Sequence, residues 1–243
     1  MSYKYAYITG CLVLLLFWLF IFFKRKDLRR EMFWASFWGM PFGFIDFFLV
    51  RALYWNPDSL FGFIKKYGVG IESFIFLFVM AGIASVIYEF LLKEKPVKLA
   101  RGNRRHFGLL FFIAFTYAAV SILFPSKAIY NLMIIGAIGV IITVYLRGDL
   151  WKQIFASAFI FSFLYLGIFI LINSIFKGFV EYSYNLENTW GILVLGIPLE
   201  EIGVAFFAGA FWSTIYEYTK SYRGKRIVSW CPKHQTSFSD LEI

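Results

Sequence analysis

Glu72 and Glu200 each stand at the start of a long apolar stretch, and the two stretches copy one another. Gly70-Ile71-Glu72-Ser73 is followed by Phe78, Ser85, Ile87, Tyr88 and Glu89. Pro198-Leu199-Glu200-Glu201 is followed by Phe206, Ser213, Ile215, Tyr216 and Glu217, with every pair 128 residues apart. Carboxyl groups are costly in a lipid-spanning segment, so they usually face a bundle interior, where they exchange protons or pair with other polar groups. Asp46 and Asn173 lie late in two further apolar stretches, at a depth similar to Glu72, Glu200 and Glu201. Polar groups from four helices then share one level. A plainer account is that acids at a helix N-terminus meet the favourable end of its dipole, with Pro198 well placed to start a helix. Neighbouring helical positions point about 100° apart, so Glu200 and Glu201 cannot both face one spot squarely.

The elements that must position these residues are membrane helices. The chain has 243 residues, of which 60% are hydrophobic and 23% aromatic, including 32 Phe. Its mean hydropathy is +0.69. A water-soluble domain of this size could not hide so much apolar surface, so the bilayer is the partner. Seven apolar runs approach the roughly 20 residues that a spanning helix needs. They cover about 6–23, 33–53, 69–92, 107–124, 127–146, 152–176 and 191–218, with Pro125-Ser126 turning the fourth into the fifth. The class is therefore all-α, a polytopic seven-helix bundle over 1–218, with residues 219–243 a soluble tail expected to hold little structure.

The net charge of +9 does not imply a nucleic-acid partner, because membrane proteins collect Lys and Arg in cytoplasmic loops. Lys24, Arg25, Lys26, Arg29 and Arg30 follow the first run. Lys93, Lys95, Lys98, Arg101, Arg104 and Arg105 follow the third, and Lys220, Arg223, Lys225 and Arg226 follow the last. The alternate loops hold only Arg51, Lys65, Lys66, Lys127 and Lys177. This asymmetry places the N-terminus outside and the C-terminus inside. Asp27-Leu28 before the second run resembles Asp149-Leu150 before the sixth, which extends the repeat. Residues 1–98 and 127–218 then form two parallel three-helix repeats, with the helix near 107–124 as a spacer that restores orientation.

Other features carry less chemistry. Tyr88-Glu89 and Tyr216-Glu217 fall near the opposite membrane face and read as interfacial anchors. Ala81-Gly82 and Gly209-Ala210 are small pairs that permit close helix packing. Trp55 and Trp190 read as interface-belt residues that could also stack on a polyene, and Asp58 reads as a loop cap. No dinucleotide-binding glycine motif is present, His106 and His234 lie outside the apolar runs, and no Lys stands mid-membrane in the last run. A histidine-based metal or haem site and a retinal Schiff base are disfavoured. Cys11 and Cys231 form no disulfide framework.

At Pro198-Leu199-Glu200-Glu201, Phe206-Phe207 and Tyr216-Glu217 the chain resembles the lycopene cyclase domain family, the integral-membrane carotenoid cyclases that use no flavin. The first repeat departs from that pattern, with Gly70 for the proline and Ser73 for the second glutamate. The resemblance covers about residues 1–226 and implies a protein of the prokaryotic cytoplasmic membrane. It also implies an isoprenoid or carotenoid substrate and a reaction without cofactor. A carboxylic acid protonates a terminal C=C, an internal double bond attacks the cation, and a proton leaves. Glu200 is expected as the acid, Glu72 or Glu201 as cation stabiliser or base, and Asp46 in support. Phe78, Phe206, Phe207, Trp55, Trp190 and Asn173 are expected to line the substrate. Two rivals stay open: a non-catalytic protein that binds a lipid or isoprenoid, and an acid-lined proton or ion pathway.

Overall fold

A computed structural model describes residues 3–98, 108–220 and 222–226. In chain order the helices are α1 (Ala6–Lys24), α2 (Arg29–Gly39), α3 (Ile45–Arg51), α4 (Phe63–Tyr67), α5 (Ile71–Leu92), α6 (Gly108–Leu123), α7 (Ala128–Leu146), α8 (Trp151–Ile175), α9 (Phe179–Ser183) and α10 (Leu199–Lys220). Two antiparallel ribbons complete the described chain. One pairs β1 (Glu94–Lys98) with β4 (Tyr222–Arg226), and the other pairs β2 (Leu193–Val194) with β3 (Ile197–Pro198).

Among the described residues, five stretches are long and apolar enough to cross a membrane: Tyr3–Lys24, Arg29–Arg51, Ile71–Leu92, Pro125–Leu146 and Gly148–Ile175. The protein is thus an integral membrane protein. The expected count of seven exceeds these five. Helix α6 has 16 described residues, and α10 carries Glu200 and Glu201 in its first turn.

Sequence explains where the helices stop. After α1 the guanidinium of Arg25 forks onto Asp27 at 3.0 and 2.9 Å; after α7 Arg147 forks onto Asp149 at 2.9 and 3.1 Å. Each fork closes a tight turn, and Leu28 and Leu150 behind it are buried. Between α2 and α3 a 3-10 turn runs over Met40–Phe44. Pro41 has no N–H to continue the α-helical ladder, so the backbone tightens there. Glycines on either side let this turn press on α5. A methyl at Gly39 would overlap Ala81, and one at Gly43 would lie 3.0 Å from the Phe74 backbone.

Helices α5 and α10 pack on one another at the centre; α2 and α1 flank α5, while α8 and α7 flank α10. The small pairs sit at these crossings. A methyl at Gly209 would lie 2.7 Å from Phe161 Cβ and 2.9 Å from the Ser157 carbonyl. Gly82 faces Trp18 and Ser36, whose side chains hydrogen-bond at 3.0 Å. Helix α6 is attached chiefly to α7.

The last apolar run is regular helix only from the end of Pro198, the helix start that this proline offers in the sequence. Residues 193–198 form a hairpin with Leu195 and Gly196 at positive φ, and regular helix starts at Leu199, after Pro198. The chain beyond 218 is not unstructured throughout, because Tyr222–Arg226 pairs residue by residue with Glu94–Lys98. Arg101, Arg104, Arg105, His106 and the tail from 227 on, with Cys231 and His234, lie outside the described residues, as do the side chains of Tyr216 and Glu217.

Candidate functional site

A cavity of about 390 Å³ opens between α1, the Met40–Phe44 turn, α3, α5, α6, α7, α8 and α10. Along α10 its wall runs from Glu201 to Trp212, eleven residues or roughly 16 Å at helical rise, so the space is elongated. Its lining is almost wholly aromatic and aliphatic. Among the described lining residues, Asp46 and Glu201 supply the carboxyls, and there is no Lys, Arg or His.

Each carboxyl is held by hydroxyl groups. Tyr54 donates to Glu201 Oε1 at 3.0 Å, and Tyr165 of α8 donates to Oε2 at 2.6 Å. Tyr7 of α1 donates to Asp46 Oδ2 at 3.2 Å, and Ser73 of α5 donates to the same oxygen at 2.5 Å. Burial, reinforced by the nearby Glu201, raises the Tyr54 phenol above its ordinary value, so it remains an O–H donor at any physiological pH. Tyr184 is raised for the same reasons.

The loops that bring these groups together interlock. Asn56 N–H donates to the Ser183 carbonyl at 2.8 Å, and Asn185 N–H to the Tyr54 carbonyl at 3.1 Å. The pairing places Trp55 against Tyr184 with ring centroids 4.6 Å apart. Trp55 also meets Tyr7 edge-on at 5.5 Å and Phe179 at 6.0 Å. An aromatic wall therefore stands beside both acids. π-faces of this kind attract a positive charge in a desolvated site.

Glu72 and Glu200 are buried, but neither lines the cavity. Each accepts a backbone N–H from the loop before its own helix. Leu60 donates to Glu72 Oε1 at 2.6 Å, and Trp190 donates to Glu200 Oε1 at 2.5 Å. Tyr130 also reaches Glu200 at 3.4 Å. These acids pin loop segments to helix starts. Ser73, 128 residues before Glu201, accepts the Gly70 N–H on its oxygen at 3.2 Å and donates its hydroxyl hydrogen bond to Asp46.

The other expected residues divide. Trp55 and Phe207 line the cavity. Trp55 is only 7% exposed, so it is not an interface-belt residue, whereas Trp190 is 53% exposed and packs beside Tyr130. Phe78 packs on Trp18 and Phe33, and Phe206 on Phe159, both away from the cavity. Asn173 accepts the Val180 N–H at 3.4 Å and so steadies the start of α9. Sequence reasoning did not single out Tyr7, Tyr54, Tyr165 or Tyr184. A tyrosine in mid-span at 165, where belt placement does not apply, was the available signal.

Fold and site together define a helical membrane protein whose two acids share an apolar, aromatic-walled cavity. Residues 4–91 and 127–219 match the model of the lycopene cyclase family, and the chain belongs to that family. The two matched stretches leave out α6. Comparison with curated proteins and with solved structures returned no match.

Proposed function

We propose that this protein cyclises the end group of a linear polyene by proton transfer from a buried carboxylic acid. The observation that carries the reading is the cavity itself, in which two carboxyls held by hydroxyls face an otherwise apolar space. Glu201 donates a proton to the terminal C=C, leaving a tertiary carbocation. The internal double bond attacks that centre, forms the ring C–C bond and moves the positive charge onto the ring. Asp46 takes a ring proton, which restores a C=C. Substrate and product are isomers, so no electron acceptor is required. Return of the proton from Asp46 to Glu201 resets the site. The wall of Trp55, Tyr7 and Tyr184 stabilises the cation, and the dry lining excludes the water that would quench it.

In this reading the acid is Glu201 and not Glu200, the residue expected from the sequence. Adjacent side chains point apart, and the one that reaches the cavity is Glu201. Two internal repeats are part of the same reading. Their support is the shared Arg-Asp fork, the matched Ser85→Gly82 and Ser213→Ala210 bonds at 3.0 Å each, and the equivalent loop contacts of Glu72 and Glu200.

The test is co-expression in lycopene-accumulating bacteria, with pigments separated by chromatography. Wild type is expected to convert lycopene to a cyclised isomer and Glu201→Gln to accumulate the linear pigment. A folded wild type that binds lycopene but never cyclises it would establish a binding protein instead.

A further inference from the structure

The cavity has one wall that is also the lipid-facing surface. Phe44 is 59% exposed and Phe111 is 57% exposed, yet both line it. Phe44 ends the Met40–Phe44 turn, and Phe111 belongs to α6. Backbone outside a regular helix is tolerated at membrane depth only where it is buried in protein or lines a cavity, and Pro41, Phe42 and Phe44 of this turn do line the cavity. The two sides of the seam are held very differently. Gly39 and Gly43 lock the turn onto α5 with no room for a methyl. Helix α6 buries only Leu110, Ile113, Tyr117 and Ser121, a single narrow stripe, and leans chiefly on α7. Two edge-on ring contacts bridge the seam, Trp38 to Phe111 at 6.1 Å and Phe48 to Tyr117 at 5.5 Å.

We infer that the seam between the Met40–Phe44 turn and α6 is a lateral portal, through which a long linear isoprenoid enters from the bilayer and in which its unreacted chain lies during reaction. The inference rests on the proposed cyclase reading and adds how the substrate arrives. The acids stand near the Tyr54–Trp55 end of the elongated space, while Trp38, Phe42 and Phe111 stand toward the other. A chain with its end group at Glu201 therefore points toward the seam. A cavity of about 390 Å³ holds an end group and a few conjugated units, so the rest of a long polyene must leave it. Ala114 and Ala118 on the α6 side are small where a flat chain would pass. Chain length is then read at the seam, apart from the chemistry.

The experiment uses the full chain in phosphatidylcholine vesicles. The probes are a long linear polyene with a diazirine at one terminus and a short linear isoprenoid with the same group. After photolysis the labelled peptides are mapped, and cyclisation is scored separately by chromatography. Long-probe labelling within 38–44 and 108–118 supports the portal, provided that Ala114→Trp, shown to be folded by thermal unfolding in detergent, lowers it roughly tenfold, as a steric overlap in a close-packed seam should. Should Ala114→Trp fail to fold, Phe111→Ala, at an exposed site, serves instead, and it should raise long-probe labelling relative to short. Long-probe labelling in the Phe61–Tyr67 loop, or indifference of both variants, overturns the portal and leaves a cyclising wild type intact. Absence of saturable labelling and of cyclisation together overturns the enzyme reading and the portal with it.

Discussion

At the scale of residues, the site separates two kinds of buried acid that look alike in sequence. Glu200 accepts a loop N–H, and Gln at that position still offers a carbonyl oxygen to Trp190. Glu200→Gln is expected to lower stability by about 0.5–1.5 kcal/mol, the cost of weakening a buried hydrogen bond, and to keep most of the cyclisation. Glu201→Gln retains acceptors for Tyr54 or Tyr165 but has no proton to give, so turnover should fall by ~10²–10⁴, the usual worth of general acid catalysis. Thermal unfolding in detergent and pigment chromatography on the same two variants separate the effects. If Glu200→Gln lost turnover and Glu201→Gln did not, the acid would be the loop-bound one.

Residues outside the bilayer give a smaller, pH-dependent effect. Lys65 pairs with Asp58 at 2.5 Å, and the Tyr182 hydroxyl donates to Asp58 at 2.9 Å. Partial burial pushes the Asp58 carboxyl up, but its bonds to Lys65 and Tyr182 prevail and hold it below its usual range. The bond to Asp58 raises Lys65. The stabilisation is therefore fully present above the ordinary carboxylate value and below the ordinary lysine value. It fades as acid protonates Asp58 through its depressed value, or as base strips Lys65 through its raised one. The pair is largely solvent-screened, so Asp58→Asn should cost no more than about 0.2–1 kcal/mol between those limits and nothing below the lower one. A difference that persisted in strong acid would place the effect elsewhere.

At the scale of elements, helix positions were legible and their interruptions were not. Apolar runs near 127–146 and 152–176 become Ala128–Leu146 and Trp151–Ile175, because a bilayer imposes one length on every apolar span. The run at 33–53 hid the Met40–Phe44 turn, although Pro41 between Gly39 and Gly43 was its local cause. Pro198 marks the start of the last helix, but the hairpin at 193–198 ahead of it has no strand signal, because its apolar residues form a ribbon only two residues long. Which of Glu200 and Glu201 faces the cavity was not legible either. That choice is set by the Trp190 N–H arriving from a loop and by Tyr165 arriving from another helix. The small pairs were read correctly as crossing points, and they carry a prediction. Gly209→Val should destabilise the α8–α10 crossing by about 1–3 kcal/mol, since the Ser157 carbonyl and the Phe161 Cβ are backbone or near-backbone atoms that cannot swing away. Gly167→Ala, inside α8 where a methyl meets nothing within 4 Å, should be neutral or stabilise by up to about 1 kcal/mol, and thermal unfolding in detergent of the two variants checks the contrast.

At the scale of the whole molecule, the acids and their loops occupy one end of the bundle. There the Tyr54–Trp55 and Tyr182–Asn185 segments interlock. The opposite end gathers the turns after α1 and α7 and the ribbon that joins the ends of α5 and α10. A second buried polar group lies there, where Gln153 donates to Glu89 and to the Ser213 carbonyl at 2.7 Å each and Arg25 donates to the Glu89 carbonyl at 2.9 Å. Between the two ends Leu14, Trp18, Val79 and Ile83 belong to one continuous apolar core, an arrangement that favours a closed site over a conducting path. The cation-rich segments Lys24–Arg30 and Lys93–Lys98 fall at the end away from the site. Positive residues are retained on the cytoplasmic side, so the site end is expected to face outward, with the N-terminus outside and the C-terminus inside. Reporter fusions at residue 226 and in the Lys65-Lys66 loop should then read out on opposite sides of the membrane. The bundle fixes the relation between these two points whatever the charge rule does, because α5 leads from the loop at one end to the ribbon at the other. Opposite sides with the loop inside would reverse the orientation and leave the fold standing. Both reporters on one side would contradict the span of α5 itself, and with it the placement of Asp46 and Glu201 at a common depth.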